Sequence, residues 1–252
     1  MRRVVYLLSM SLVGICVAAS PLRADQNELF AKANEDYAAE RFQEGIDGYQ
    51  RLVDSGERSA NLFYNLGNAW FRVGNFGNAI LNYERALALD PHHPESEANL
   101  RVARDEARAL ELKRTALEHY LDAGTPAQYS GVAAVSFWLA FFLGARIVFM
   151  QRRSMRLLLL GTTSAIVCAG AIFALYSWER GSKGRALAIV TQKDVEAKLA
   201  TADNANSVLA LPPGSEIKIL SQRGDWIYAA LPNDLRGWLP SKSAERVRLN
   251  YL

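Results

Sequence analysis

Cysteine is almost absent from this chain of 252 residues, which contains only Cys16 and Cys168. Both lie inside long apolar runs, so the polar stretches between these runs have neither a disulfide nor a thiol nucleophile. The sequence also lacks the Gly-x-Ser-x-Gly elbow, the phosphate-binding loop, the dinucleotide fingerprint and the His-Glu-x-x-His motif. These absences argue against an enzyme, and we predict no catalytic residues.

Histidine is equally scarce, with three residues in the whole chain. His92 and His93 have Glu95 and Glu97 nearby, and these residue types bind metals in other proteins. However, two adjacent histidines between a helix-ending and a helix-starting proline point in different directions. His119 stands alone in a charged segment. We therefore predict no metal site and no cofactor.

Apolar residues are concentrated in three runs. The first run follows two arginines and ends in small residues, which is typical of an export signal. We expect residues 1–24 to be this signal, with cleavage after Ala24; if the segment is retained, it forms a third membrane helix. The other runs, at 129–150 and 156–178, each have about the twenty residues that a membrane-spanning helix needs. They predict a hairpin of two transmembrane helices, the alternative being two helices buried in a soluble core.

The export signal decides the predicted orientation of this hairpin. The connection at 151–156 carries three arginines, which favours the cytoplasmic side. Three basic residues at 180–185 follow the second helix on the opposite side, so the charge rule alone is nearly balanced. Because the signal would carry the chain after residue 24 out of the cytoplasm, we expect both soluble parts to face the periplasm. The predicted location is the inner membrane, with more than one pass.

Charge is divided unequally between the two soluble parts. Residues 25–125 contain 18 acidic and 11 basic side chains, a net charge of −7, whereas residues 179–252 contain 8 acidic and 11 basic, a net charge of +3. The overall charge of +3 thus hides two domains of opposite sign. We do not expect an exported acidic domain to bind nucleic acid.

The stretch from residue 63 to residue 91 has the marker residues of a helical repeat. Gly67 and Ala79 are small where two antiparallel helices would cross closely, and Pro91 would end the second helix. The complete set matches the tetratricopeptide pattern: Phe63, Leu66, Gly67, Trp70, Ala79, Tyr83 and Pro91. This segment therefore predicts a helix hairpin that stacks on copies of itself.

Weaker copies lie one repeat length away on both sides, at an offset of about 34 residues. On the N-terminal side the matching residues are Asn34, Tyr37, Phe42, Ile46 and Tyr49. There Asp36 replaces Trp70, so the first repeat is degenerate. On the C-terminal side residues 98–104 match 64–70, and the helix-forming residues that follow indicate one capping helix. The sequence thus predicts two tetratricopeptide repeats and a capping helix over residues 25–123.

A stacked repeat has a concave groove that the first helix of each hairpin lines. Residues three and four apart on the helix around Leu66 would point into this groove. Paired asparagines can clamp the backbone of an extended segment because each amide both donates and accepts, and an arginine can bind a carboxylate. We predict protein-binding residues at Asn34, Asn61, Tyr64, Asn65, Asn68 and Arg72, the alternative being ordinary polar residues on solvated helices.

Short strands replace helices after residue 185. The order PGSEIKIL, GDWIYAAL and RGWLP resembles a bacterial SH3 domain, of which a Gly-Asp-Trp hairpin and a late Gly-Trp are recognisable parts. The resemblance implies a small all-β barrel over residues 183–250. We predict that Trp226, Tyr228 and Trp238 form an SH3 groove for a peptide or for cell-wall material. Alternatively, Trp226 and Trp238 fill the core of the barrel.

The predicted fold is multidomain, with all-α tetratricopeptide-repeat hairpins, a two-helix transmembrane hairpin and an all-β SH3-like barrel. This order of elements resembles the BatE-like proteins of the Bat (aerotolerance operon) family. The resemblance implies a periplasm-facing adaptor that acts with membrane-anchored von Willebrand factor A proteins and a cytoplasmic MoxR-type ATPase in envelope stress tolerance. The residues themselves indicate a membrane-anchored scaffold with protein partners. The alternative function is a tether that grips peptidoglycan through the SH3-like domain.

Overall fold

The computed structural model describes residues 20–121, 124–150, 154–181 and 184–248. Residues 1–19 of the predicted signal peptide lie outside the described residues, so the signal stays a sequence-based prediction. Within the described ranges the chain forms a helical N-terminal part, a pair of long apolar helices and a C-terminal antiparallel sheet.

The N-terminal part consists of two helix hairpins and a further helix. Its helices are α1 (Ser20–Ala38), α2 (Phe42–Asp54), α3 (Ala60–Arg72), α4 (Phe76–Leu89) and α5 (Pro94–Ala107). Both helices of the second hairpin begin with a side-chain cap. Ser59 Oγ accepts a hydrogen bond from the amide of Leu62, and Asn75 caps α4 in the same way. The predicted helical repeat is therefore present in the fold.

The marker residues of the second hairpin form its core, and Leu66, Ala79 and Tyr83 are all buried. A Cβ atom on Gly67 would lie 2.7 Å from Cε1 of Tyr83, so α3 and α4 cross too closely for any larger residue. The first hairpin has its close contact elsewhere, where a Cβ atom on Gly48 would lie 2.8 Å from that of Ala33. Each hairpin thus depends on a small residue, but at a different position.

An ion pair takes the place of an aromatic side chain in the degenerate first repeat. Asp36, at the position of Trp70, is buried and accepts hydrogen bonds from Lys32 and Arg41. These hydrogen bonds, that from Lys32 first, hold the pKa of the Asp36 carboxyl below its usual value. Asp36 therefore stays ionised and ties the end of α1 to the start of α2.

The helix that follows the second hairpin is shorter than the sequence predicts. α5 ends at Ala107, Arg108 has a left-handed backbone with a φ of 51°, and residues 109–115 are not helical. A short α6 (Ala116–Leu121) follows. The chain leaves the helix because the next residues bind the C-terminal sheet: the carbonyl of Leu110 accepts from the amide of Glu216 at 2.8 Å. This tertiary contact overrides the helical propensity of the segment.

Two long apolar helices come next, α7 (Pro126–Met150) and α8 (Met155–Arg180). Both are long and apolar enough to cross a membrane, by length and composition alone. They pack against each other along a seam of small buried residues, namely Ser136, Ser164, Cys168, Ala171 and Ala174. Most of their large apolar side chains point away from this seam and are exposed. Exposed apolar surfaces of this kind are typical of sites that contact a membrane or another protein.

The C-terminal part is an antiparallel sheet of seven strands. The strands are β1 (Leu187–Val190), β2 (Val195–Lys198), β3 (Ser207–Leu211), β4 (Glu216–Arg223), β5 (Trp226–Ala230), β6 (Arg236–Pro240) and β7 (Ala244–Arg246). They pair in the order β3-β2-β6-β5-β4-β1-β7. The core of the sheet includes Val190, Leu211, Ile227, Ala229 and Leu239. The predicted change from helices to short strands is confirmed, while the SH3-like assignment stays a prediction.

The C-terminal sheet packs directly on the second hairpin and α5. Ile80 and Leu100 of the helices share one buried apolar cluster with Leu187, Ile189 and Val247. The spacing of residues along the sequence does not reveal this contact, because it joins segments more than 80 positions apart. We call the contact between α4, α5 and the sheet the domain interface.

Two glycines allow the close approach at the domain interface. A Cβ atom on Gly77, in the first turn of α4, would lie 2.9 Å from the carbonyl oxygen of Thr191. Gly214 faces the side chain of Ile80, and a Cβ atom there would overlap it. The domain interface is therefore closely packed, with a glycine at each point where a larger residue would overlap the other part.

Candidate binding groove

Helices α1, α3 and α5 lie side by side and line one surface of the helical part. A cavity of about 290 Å³ opens on this surface, which we call the groove. The cavity is lined by aromatic rings, amides, one arginine and one valine: Tyr37, Tyr64, Asn68, Phe71, Arg72, Tyr83, Asn99 and Val102. The groove lies on the helices for which the sequence predicts protein-binding residues.

A hydrogen-bond cluster around Asn34 joins three helices beside the cavity. Asn34 Oδ1 accepts from Tyr49 Oη at 2.7 Å and from Asn65 Nδ2 at 3.0 Å. The tyrosine comes from α2, behind the groove, and the two asparagines come from neighbouring helices that line it. The cluster thus fixes α1 against α3 through side-chain amides.

The second hairpin repeats this cluster around Asn68, one repeat length later. Asn68 Oδ1 accepts from Tyr83 Oη at 2.8 Å and from Asn99 Nδ2 at 2.9 Å. Here the tyrosine comes from α4 and the second asparagine from α5. Because both clusters have the same three residue types in the same geometry, the groove has a regular array of four amides.

The buried tyrosines fix the orientation of these amides. Burial raises the pKa of Tyr49 to about 12 and also raises the pKa of Tyr83, so both hydroxyls stay protonated and donate. Oδ1 of Asn34 and of Asn68 is therefore turned toward two donors, and Nδ2 is left for a ligand. The asparagine partners in each cluster donate with Nδ2 and keep Oδ1 available. The array thus alternates donors and acceptors along the groove.

Arg72 is the only cation among the described residues that line the cavity. Its guanidinium carbon lies 4.4 Å above the centre of the Phe42 ring, a cation–π contact between α3 and α2. The ring holds the guanidinium in place, so a carboxylate on a ligand would meet a charge that is already positioned.

The structure brings together five of the six predicted binding residues and leaves one out. Tyr64, Asn68 and Arg72 line the cavity, and Asn34 and Asn65 form the adjoining cluster. The sixth residue, Asn61, does not line the cavity. These placements leave their role in binding a prediction.

Asn61 contacts a histidine rather than the cavity. His93 Nδ1 accepts from the amide of Ser96 and so caps α5, while His93 Nε2 lies 3.2 Å from Asn61 Oδ1. The ring also stacks near Tyr64, with 5.1 Å between ring centres. Both nitrogens of His93 thus have a structural use, which links the start of α3 to the start of α5.

Sequence reasoning missed several residues that line the cavity. One of them had a usable signal, because Asn99 lies one repeat length after Asn65 in the alignment of residues 98–104 with 64–70. Tyr37 and Phe71 are also one repeat length apart, but nothing in the sequence distinguishes them or Val102 from core residues, since an apolar side chain on a repeat helix is usually part of the core.

The three aromatic residues predicted in the C-terminal part share the outer face of the sheet. Trp226, Tyr228 and Trp238 are half-buried, and the rings of Tyr228 and Trp238 lie 5.0 Å apart on paired strands. The core-facing positions are taken by Ile227 and Leu239 instead. The alternative that both tryptophans fill the core is therefore wrong, because the strand alternation turns them outward.

A sequence model of the tetratricopeptide repeat matches residues 60–93, which span α3, α4 and the turn before α5. No curated protein matches the chain. Tetratricopeptide repeats are modules of protein–protein interaction and generally not catalysts. The chain therefore contains a repeat of this class, and its helical part has the architecture of a binding module for proteins.

Proposed function

We propose that this protein is a membrane-anchored scaffold that captures an extended segment of a protein partner in the groove. The observation that carries the proposal is the array of four asparagine amides held by two buried tyrosines. An extended peptide presents one amide donor and one carbonyl acceptor per residue. An array with alternating donors and acceptors can bind such a backbone without selecting its sequence.

The remaining lining residues suit the side chains of the bound segment. The aromatic rings of Tyr37, Tyr64 and Phe71 offer an apolar wall for one large side chain. Arg72 offers a positioned charge for a carboxylate at the rim. The bound segment is thus an extended one with an apolar anchor and an acidic group near it.

The test uses a substitution that changes the donors in the groove but keeps the hydrogen bonds that orient the amides. In the double variant Asn34→Asp with Asn68→Asp, each Oδ1 still accepts from its tyrosine and its partner asparagine, but the Nδ2 donor becomes an anionic oxygen. We expect peptides selected from a random library on the native protein to bind the variant at least about tenfold more weakly, since two hydrogen bonds of about 1 kcal/mol each are lost.

Asn61→Asp is the matched control, because it is the same substitution on α3 but outside the cavity. It should leave peptide affinity unchanged. If both the double variant and the control bind as the native protein does, the groove is not the binding site, and the outer face of the sheet becomes the better candidate.

The membrane anchor of the proposal is the pair α7 and α8. The domain interface supports a hairpin that enters and leaves the membrane on one side, because the parts before and after the pair touch each other. Together with the predicted export signal, this contact supports our proposal that both soluble parts face the periplasm and that the chain crosses the inner membrane more than once.

Labelling of single cysteines tests this topology, in a background with Cys16 and Cys168 replaced by serine. Asp54→Cys and Asn204→Cys should react with an impermeant maleimide in cells whose outer membrane is permeabilised. Ser154→Cys, between the two apolar helices, should react only after the inner membrane is lysed. Labelling at Ser154→Cys alone in unlysed cells would reverse the orientation, and labelling at all three would argue that the pair does not cross the membrane.

The wider role that we propose rests on the resemblance to BatE-like proteins of the Bat family. In that role the scaffold joins membrane von Willebrand factor A proteins and a MoxR-type ATPase in an envelope stress or aerotolerance complex. The segment captured in the groove would then belong to one of these partners. Loss of peptide binding in the double variant should be accompanied by loss of such a partner in cross-linked membranes.

A second candidate function is a cell-wall tether, favoured by the outward position of Trp226, Tyr228 and Trp238. Half-buried aromatic rings on one sheet face can stack on sugar rings or on a peptide. Binding of the full-length protein to purified sacculi, lost on replacement of the three rings by alanine, would support this function. Unchanged binding would exclude this face.

A further inference from the structure

A cluster of charged side chains lies at the domain interface, outside the lining of the groove. The guanidinium of Arg104, on α5, is paired with Glu84 of α4 at 2.6 Å and with Glu111 of the following segment at 3.3 Å. It also contacts the carboxylate of Glu216 at the start of β4. The cluster therefore joins both helices and the 109–112 segment to the C-terminal sheet.

This cluster has too few cations for its carboxylates. Three carboxylates surround one guanidinium, and Glu216 is only 4% exposed. The second oxygen of Glu216 accepts from the amide of Leu112 at 3.1 Å, so protein groups contact both oxygens of this carboxylate. Burial, with repulsion by Glu84, raises the pKa of Glu216 to about 7, although Arg104 opposes this.

Another ion pair at the domain interface is balanced in charge. Arg85 of α4 donates to Glu245 at 3.0 Å and to the backbone carbonyl of Arg246 at 3.2 Å. Strand β1, whose Ile189 is paired with Glu216 in the sheet, contributes only apolar residues. The excess negative charge thus stays with the three carboxylates around Arg104.

We propose that this cluster is a proton-linked latch, in which the sheet binds the helical repeats with uptake of a proton by the carboxylates around Arg104. When the two parts separate, water reaches Glu216 and relieves the repulsion. The separated form then holds the proton less tightly than the joined form. Association of the two domains and protonation of the cluster are therefore thermodynamically linked, so each favours the other.

The sign of the pH effect follows from this linkage. The carboxyl of Glu216 has a pKa near 7 in the joined form, against a usual value of 4.5 in water. Its contribution to association is complete below the lower value and is lost as the pH rises through the higher one. Between pH 6 and pH 8 the association constant of the domains should fall about tenfold. Mild acidification tightens the latch, and mild alkalinity loosens it.

Trypsin cleavage of the full-length protein in detergent measures this opening. The bond after Arg108 is held in the joined form, because Ala109 and Leu110 lie against the sheet. When opening and closing are fast, the cleavage rate follows the open fraction. We expect the rate at this bond, divided by that of a free peptide with the sequence 104–113, to rise about tenfold from pH 6 to pH 8.

Three variants separate the latch from a merely structural contact. Glu216→Gln keeps the shape of the side chain but cannot titrate, so its normalised rate should not depend on pH. Glu84→Gln removes the main source of repulsion, so the midpoint of the pH dependence should move to lower pH. Glu245→Gln, in the neighbouring ion pair, should keep the native midpoint.

A direct measurement covers the case in which these variants fold poorly. In the native protein labelled with carbon-13 at glutamate carboxyls, one buried resonance should titrate near pH 7. Its absence, a resonance that titrates only near the usual value, or an equal pH dependence in Glu216→Gln would each overturn the proposal.

Discussion

Replacement of Arg104 by alanine should destabilise the protein by about 3–5 kcal/mol, since breaking a buried ion pair leaves its partners uncompensated. The side chain of Arg104 is 12% exposed, and its partners Glu84 and Glu216 are 14% and 5% exposed. Without the guanidinium, these carboxylates stay buried beside each other. Urea titration of the full-length protein in detergent, followed by circular dichroism, measures the free energy of unfolding.

Arg101→Ala is the matched control for this prediction. Arg101 lies on the same helix, is 70% exposed and pairs with Glu97 at 3.8 Å. An exposed pair of this kind contributes about 0.3–0.5 kcal/mol. The two variants should therefore differ by severalfold, and the deficit of Arg104→Ala should be larger at pH 8 than at pH 6. Equal losses at both positions would show that the domain interface does not depend on the buried cluster.

The second repeat was predictable because its determinants are local. Gly67, Ala79 and Tyr83 fit the crossing of two helices that are adjacent in sequence, so spacing alone identifies them. Caps add to this: Ser59 and Asn75 are residue types that commonly begin helices. Short-range rules of this kind do not depend on the rest of the chain.

The domain interface was not predictable because its determinants are distant in sequence. Gly77 and Gly214 read as ordinary helix and turn glycines until the structure brings each against the other domain. The same contact explains the end of α5, since residues 109–112 leave the helix to pair with Ser215 and Glu216. The residues of this segment favour a helix, but the tertiary contact with the sheet overrides this propensity.

The groove was predictable only in part. The repeat length alone placed Asn34 and Asn68 at equivalent positions, and the structure shows both in equivalent hydrogen-bond clusters. The sequence could not show that a tyrosine on the second helix orients each amide. Helical spacing also predicted Asn61 in the groove. In the structure its amide instead contacts His93, which is more than 30 positions away in sequence.

The crossing of α3 and α4 makes Gly67 the most sensitive position of the second repeat. A Cβ atom there would lie 2.7 Å from Cε1 and 2.8 Å from Cδ1 of Tyr83, and 3.3 Å from the carbonyl of Ala79. Tyr83 cannot move away freely, because its hydroxyl donates to Asn68 in the groove. A larger residue at position 67 would therefore disturb Asn68 in the groove as well as the core.

Gly67→Leu should lower the free energy of unfolding by about 1–3 kcal/mol, the usual cost of overpacking a core. Two repeats are fewer than the three that usually give a stable stack, so we expect the domain interface to supply part of the stability and the melting temperature of the helical part to fall. Gly67→Ala and Gly45→Ala form a matched pair, since a Cβ atom on Gly45 meets only ordinary contacts at 3.5 Å. Alanine should stabilise α2 at position 45 and destabilise α3 at position 67, by thermal melting of the full-length protein. Equal effects at the two positions would mean that α3 and α4 do not cross at Gly67.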